Sequence, residues 1–201
     1  MRAGVIVAGG RSTRFGDSDK AVAELAGTPM VRRVADRLVE AVDELVINCR
    51  ADQVDAIDAA LSGHALDLTF ALDEDPDQGP MAGIATGLAA VESEYAAVVA
   101  CDMPFVDPDF VDYLFERADS HEAAVPRPDE WFQTTQAVYH TDAMRAACRR
   151  ALERGEHKVV EPIFDLDYVV IERDEILEHT TLETFDNLNT REEFESAAER
   201  F

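Results

Sequence analysis

The sequence predicts a three-layer α/β domain in which helices cover both faces of a central sheet. Short β-rich runs alternate with helical patterns, the signature of a sheet built from βαβ units. Several of the intervening helices carry readable start signals, and no internal repeat or low-complexity stretch interrupts the alternation. The strands are expected at 3–8, 44–48, 67–72, 95–101, 122–126, 134–139 and 168–172. Thr28-Pro29 reads as an N-cap and first-turn proline ahead of a helix beginning at Met30. Gly79-Pro80 and Asp107-Pro108 open two further helices in the same way. Thr190 and Glu193 stand three apart before a last helical pattern, as in a capping box.

Composition bounds the class. The chain has 201 residues, 47% of them hydrophobic, enough for one core, and is read as a single domain over 1–201. Its apolar runs break off far short of the roughly 20 residues that span a bilayer, and the apolar start ends in Gly-Gly and basic residues without a cleavage pattern. A cytoplasmic protein without membrane contact is expected. Cys49, Cys101 and Cys148 are odd in number and widely spaced, which suggests neither a disulfide framework nor a zinc site.

The formal net charge is −24, from 42 acidic residues scattered along the chain. Such a surface opposes nucleic acid, whose binding requires clustered Lys and Arg. Its self-repulsion at low ionic strength leads to the expectation of a halophilic protein working in a high-salt cytoplasm. Only two lysines are present, Lys20 and Lys158. On a surface so depleted, each becomes a candidate for function.

The strongest functional signal follows the first strand, in AGGRSTRFGDSDK. A Gly pair directly after a buried strand lets backbone amides approach a polyphosphate without Cβ obstruction. Arg11, Arg14 and Lys20 add three cations, suited to neutralising charge that builds on phosphate oxygens. A glycine turn followed by a solvated charged loop is the plainer alternative. The GxxxxGK[ST] and GxGxxG spacings are both absent, so this is neither a P-loop ATPase nor an ordinary dinucleotide-dependent dehydrogenase. A second signal is CDMP, where an apolar strand delivers Asp102 to the carboxyl edge of the sheet, the edge at which ligands bind in open α/β sheets. A carboxylate there suits Mg²⁺, although a turn aspartate would look the same in isolation.

Four segments then carry a resemblance. The run GGRSTRFGDSDKAVAELAGTPMVRRVADRL, the segment DQGPMAGIATGL, CDMP and DNLNT occur in the order found in the molybdenum cofactor guanylyltransferase (MobA) family of nucleotidyltransferases, and they span nearly the whole chain. The resemblance implies a Rossmann-like nucleotidyltransferase fold with a mostly parallel mixed sheet, and Mg²⁺-dependent transfer of GMP from GTP to molybdopterin with release of pyrophosphate. It further implies that Ala8, Gly9, Gly10, Arg14 and Lys20 cradle the triphosphate, with Lys20 and Arg14 catalytic. Asn48 and Asp73 would hold the guanosine part, and Asp102 would be both catalytic and the metal ligand. Asn187 and Asn189 fall on a motif near the site, though Asn189 has an ordinary role in shaping a helix entry.

Gly83 and Gly87 share one helix face and are read as sites of close packing, with nucleotide approach as the alternative. His157-Lys158 is a possible docking point for an anionic acceptor at a helix start, or a plain surface charge. The run WFQTTQAVY departs from the family pattern at Thr134, Thr135 and Gln136, in a region expected to approach the acceptor. Related enzymes act on adenosylcobinamide phosphate, sugar 1-phosphates or phospholactate compounds, or use CTP, and a non-catalytic adaptor on the same fold is a reading of a different class. Transient contact with cofactor-biosynthesis proteins or apo-molybdoenzymes completes the expectations.

Overall fold

The computed structural model describes residues 1–10, 19–73 and 78–201. Its centre is a seven-stranded sheet. The strands are β1 (Ala3–Val7), β4 (Glu44–Cys49), β5 (Leu68–Leu72), β6 (Tyr95–Ala100), β7 (Ala123–Arg127), β8 (Gln136–His140) and β9 (Tyr168–Glu172), and a separate hairpin contains β2 (Glu24–Leu25) and β3 (Thr28–Pro29). The sheet order is β5-β4-β1-β6-β8-β7-β9. Only β8 runs against its neighbours, pairing antiparallel with both β6 and β7. The remaining pairs are parallel. The sheet is thus mixed and mostly parallel, as the sequence predicts.

Alternation along the strands distributes the core. Ile6 and Ala8, Leu45 and Ile47, and Ala97 and Val99 project to one face. There they meet α1 (Met30–Leu38), α2 (Val54–Ala60), α4 (Pro108–Ala118) and α7 (Arg173–His179). Ala3 and Val5, Val46, and Ala96 and Val98 project to the other, against α3 (Pro80–Ala89), α5 (Thr141–Glu153) and α6 (Val160–Ile163). Strands buried on both faces read as apolar runs, which is why β1 and β6 are conspicuous in the sequence. A smaller third cluster joins Leu25 and Met30 to Leu188 and to Ala197 of α8 (Arg191–Ala198).

The helix starts at Pro80 and Pro108 and the Thr190–Glu193 capping box are present as expected, with Asp107 accepting from the Asp109 amide at 3.1 Å. Thr28-Pro29 differs. Instead of capping α1 through Thr28, the pair forms β3, and Pro29 precedes the helix without a side-chain cap. Leu25 pairs with Thr28 across Ala26 and Gly27, both at positive φ (47° and 78°), the backbone a two-residue hairpin turn requires. Arg33 stabilises this conformation by donating to the Leu25 carbonyl at 2.8 Å.

Candidate active site at the carboxyl edge of the sheet

The carboxyl ends of β1, β4, β5 and β6 bring together Gly9, Lys20, Asn48, Asp73 and Asp102. At the end of β6, the Lys20 ammonium donates to Asp102 Oδ2 at 2.8 Å and to Asn189 Oδ1 at 3.1 Å. Lys20 is only 7% exposed. Burying an ammonium is costly unless it is paired and hydrogen-bonded, and Asp102 and Asn189 supply both. Asp102 offers more than this pairing, because its second oxygen, Oδ1, is buried with no partner among the described residues. Orphaned buried carboxylate oxygens are costly, and one at a sheet edge points to a ligand. The Asp102 carbonyl accepts from the Leu188 amide at 3.0 Å, which ties the chain before α8 to this point.

Asn189 links the α8 entry to Lys20. Its amide donates to Glu193 Oε2 at 2.7 Å, within the α8 cap, while its side chain holds Lys20. The Asn189 and Thr190 amides hold the Glu193 carboxyl below the usual carboxylate range.

At the other side of the edge, Asn48 is fully buried at the end of β4. Its amide nitrogen donates to the Ala71 carbonyl at 3.2 Å and to Asp73 Oδ1 at 2.7 Å. Asn48 Oδ1 is buried without a partner among the described residues. A Cβ on Gly9 would lie 2.4 Å from Asp73 Oδ2, and one on Gly83 would lie 2.4 Å from Asn48 Oδ1. Glycine at both positions is what lets the Asn48–Asp73 pair sit between the first turn and α3. A Cβ on Gly87 would meet Val5 Cγ1 at 2.5 Å. The two helix glycines therefore serve packing of α3 on the sheet, the favoured sequence reading.

Two residues that the sequence reading missed join these groups. Arg50 donates through Nη1 to the carbonyls of Gly9 (2.9 Å) and Gly10 (3.0 Å). Gln53 donates to the Ala8 carbonyl at 3.0 Å and to Asp19 Oδ2 at 2.6 Å. Asp19 in turn caps the 3₁₀ turn Lys20–Val22, accepting from the Ala21 amide at 3.0 Å. The available sequence signal was the position of Arg50, two residues beyond Asn48 at the same strand end.

Arg11 and Arg14 lie outside the described residues. His157 and Lys158 are exposed and precede α6, whose N-cap is Val159; the Lys158 amide donates to Glu161 Oε2 at 2.8 Å, a local cap with no link to the edge described above. Burial, followed by the charge of Asp102, pushes the Cys101 thiol well up, and burial with Asp73 raises Cys49 to about 11. Both are neutral thiols near pH 7, unsuited to act as nucleophiles. No helix among the described residues is long and apolar enough to cross a membrane.

Comparison with known proteins identifies the family. Residues 4–169 match the MobA-like NTP transferase domain. A protein of Natronomonas pharaonis named "Probable molybdenum cofactor guanylyltransferase" is 57% identical over 199 residues, covering 99% of this chain and 98% of the relative. The "Molybdenum cofactor guanylyltransferase" of Serratia proteamaculans is 34% identical, covering 94% and 90% of the two chains. Among solved structures, molybdopterin-guanine dinucleotide biosynthesis protein A of Archaeoglobus fulgidus superposes with a TM-score of 0.80 at 23% identity, over 100% of this chain and 98% of that one. A nucleotidyl transferase of Methanothermobacter thermautotroptrophicus gives 0.79 at 17% identity, over 100% and 97%; at these identities both likenesses show the fold alone. The family model over most of the chain and the identity and coverage of these relatives show that the chain belongs to the MobA-like NTP transferase family and is a nucleotidyltransferase.

Proposed function

We propose that this protein transfers GMP from GTP to molybdopterin, forming the guanine dinucleotide cofactor and releasing pyrophosphate. The observation that carries this reading is the meeting, on one sheet edge, of a buried Lys20–Asp102 pair with the Gly9-Gly10 turn and the Asn48–Asp73 pair. The names and full-length coverage of the relatives support the same reaction.

In this reading the Gly9 and Gly10 amides take the triphosphate oxygens, with Arg14 adding charge; the Ala8 amide, expected to join them, is instead given to the Asn48 carbonyl at 2.8 Å. The Lys20 ammonium has three N–H groups, of which Asp102 and Asn189 take two, leaving the third for a phosphate oxygen. Asn48 and Asp73 hold the guanosine part. A carboxylate accepts hydrogen bonds, and guanine offers N–H donors where adenine presents an unprotonated ring nitrogen, so Asp73 favours guanine.

This family's chemistry uses a divalent metal, and Mg²⁺ is the ion proposed here. The unpartnered Oδ1 of Asp102 fits it. Among the described residues no group of three or more His, Cys, Asp or Glu side chains forms an all-protein cage. The proposed ion would be held by Asp102 and substrate phosphates, since Mg²⁺ usually takes one or two carboxylates plus phosphate oxygens. Once bound, Mg²⁺ supplies neutralisation of phosphate charge. An acceptor phosphate oxygen attacks the α-phosphorus in line; its bond to phosphorus forms as the bond to pyrophosphate breaks. The attacking phosphate is already anionic at neutral pH, so no general base is required. The protein's own part is to align the reactants and stabilise the transferring phosphoryl group. We place the activity in the cytoplasm, in transient contact with cofactor-biosynthesis proteins or apo-molybdoenzymes.

The test is pyrophosphate release with Mg²⁺ in high KCl, comparing GTP, CTP, ATP and UTP, each with and without molybdopterin. Release confined to GTP plus molybdopterin is expected. Release with another nucleotide, or with GTP only when a different phosphate acceptor is supplied, overturns the substrate assignment. GTP binding without release under any acceptor indicates an adaptor.

A further inference from the structure

Arg50 and Gln53 have no role in the reaction just described, yet they bind both ends of the segment that carries it. We infer that they are positioning residues that hold the backbone of the Gly9-Gly10 turn in its phosphate-receiving orientation and fix the Lys20 turn beside it, so the cradle is formed before nucleotide arrives. This inference rests on the proposed binding of a nucleoside triphosphate at this edge.

The argument begins with peptide geometry. A trans peptide is planar, with its C=O and N–H pointing in opposite directions. The Ala8 carbonyl is held by Gln53, so the Gly9 N–H faces away from α2. The Gly9 carbonyl is held by Arg50, so the Gly10 N–H faces away as well. Both amides are thus turned to the side opposite their supports, where phosphate oxygens can meet them without a Cβ in the way. Gln53, itself 2% exposed, and Arg50 hold the carbonyls.

The same two side chains reach the other end of the segment. Gln53 donates to Asp19 Oδ2 at 2.6 Å, and Arg50 lies 3.7 Å from that oxygen. Asp19 Oδ1 caps the turn that begins with Lys20. Residues 8–10 and 19–20 are thereby fixed to one support on β4 and the turn after it. Gln53 can do this because the Ala51–Gln53 3₁₀ turn curls it back, and the Arg50 amide donates to its Oε1 at 2.9 Å. Every hydrogen-bonding atom of the Gln53 side chain then has a partner.

Arg50 is engaged too fully to serve as a phosphate ligand. Nη1 donates to two carbonyls, Nε donates to Asp52 Oδ1 at 3.1 Å, and Nη2 faces Asp52 Oδ2 at 3.4 Å and Asp19. The guanidinium is suited to this arrangement, since it presents five donors in a fixed plane, which a lysine ammonium does not.

The experiment measures binding of inorganic tripolyphosphate with Mg²⁺, and separately of guanosine, to the full chain by calorimetry, for wild type, Arg50→Met, Arg50→Lys and Gln53→Met. All three variants are expected to weaken tripolyphosphate by about tenfold or more and to lower kcat by roughly a hundredfold, the scale of a misplaced reacting group. Guanosine affinity, which reports the Asn48–Asp73 pair and an intact fold, should stay within about twofold. Unchanged tripolyphosphate binding in Arg50→Met and Gln53→Met overturns the inference, as does an equal loss of guanosine binding, which marks general destabilisation. Full recovery in Arg50→Lys overturns it too, by showing that charge alone suffices. A wild-type chain that binds neither probe refutes the proposed function itself, whereas one that binds both while the variants do likewise refutes only the positioning role.

Discussion

The two ends of the sheet are built on opposite plans. At the β5-β4-β1 end, the carboxyl edge is packed with polar side chains satisfied largely by one another: Asn48 with Asp73, Arg50 with the Gly9 and Gly10 carbonyls, and Gln53 with Ala8 and Asp19. At the β8-β7-β9 end, the connection after β7 exposes Trp131 (73%), and Phe132 meets Phe164 (60% exposed) and Tyr168 edge to face. The first end is polar and closely hydrogen-bonded; the second is aromatic and open to solvent. Triphosphate chemistry demands fixed donors, since their reorganisation would add to the barrier. A planar heterocyclic acceptor can be bound by stacking, which tolerates a mobile and exposed surface. In our reading the nucleotide belongs to the first end and the acceptor approaches from the second.

The largest effects should come from the polar end. Lys20→Met and Asp102→Asn are each expected to lower turnover by about 10²–10³, as loss of one charge-stabilising group does elsewhere, while a cooperative thermal transition survives. Initial rates at saturating GTP check this. Near wild-type rates in both variants would remove the catalytic distinction between the two ends.

Next in size is Gly83→Ala. The new methyl would sit 2.4 Å from Asn48 Oδ1, and Asn48 is held in place by its bonds to Ala71 and Asp73. Overpacking of this kind costs about 1–3 kcal/mol. Denaturant unfolding should show that loss, with weaker guanosine binding beside it. If stability falls but guanosine affinity does not, Asn48 is a packing residue only, and the two ends differ less than argued here.

Trp131→Ala probes the open end. An exposed side chain whose ring packs on little should change stability by no more than about 0.5 kcal/mol. The KM for the acceptor is expected to rise several-fold, in line with a lost stacking contact of roughly 1 kcal/mol, with the KM for GTP unchanged. A shift in both constants would place the aromatic patch in the nucleotide site.

The contrast between the ends also governs what the sequence reveals. All seven strands of the sheet are legible within about two residues: β1, β4 and β6, buried on both faces, leave apolar runs that few other elements imitate, while the half-exposed edge strands β5 and β9 are legible from their β-branched and aromatic residues. Gly9 and Asp102 are legible as candidates because each directly follows an apolar strand, and Lys20 because it is one of only two lysines. The β2–β3 hairpin is not: its turn uses Ala26 and Gly27 where Asn-Gly would have signalled it, and a contact from Arg33 supports it. Helix α5 escapes notice because its cap is His140, outside the usual set of capping residues. Arg50 and Gln53 look like surface residues in a charged stretch. Their meaning depends on partners some forty residues earlier in the chain, a pairing that only the β1–β4 register creates.

The smallest predicted effect concerns salt, and it separates surface from site. With 42 acidic against 18 basic residues, surface charges repel one another on balance, and screening at molar KCl relieves that repulsion. Exposed pairs such as Arg191–Glu195 lose their attraction under the same conditions, but such pairs contribute about 0–1 kcal/mol each. The net sign is therefore stabilising, and the melting temperature should rise as KCl is increased from dilute buffer towards about 1 M. The Lys20–Asp102 pair, with side chains 9% and 20% exposed, is shielded from mobile ions and should keep its geometry throughout. Turnover per folded molecule should then vary less with KCl than the folded fraction does. A melting temperature indifferent to salt would remove the case for a high-salt cytoplasm. A turnover number that tracks salt as steeply as stability would show that the polar edge is assembled by screening, and not by the buried contacts described above.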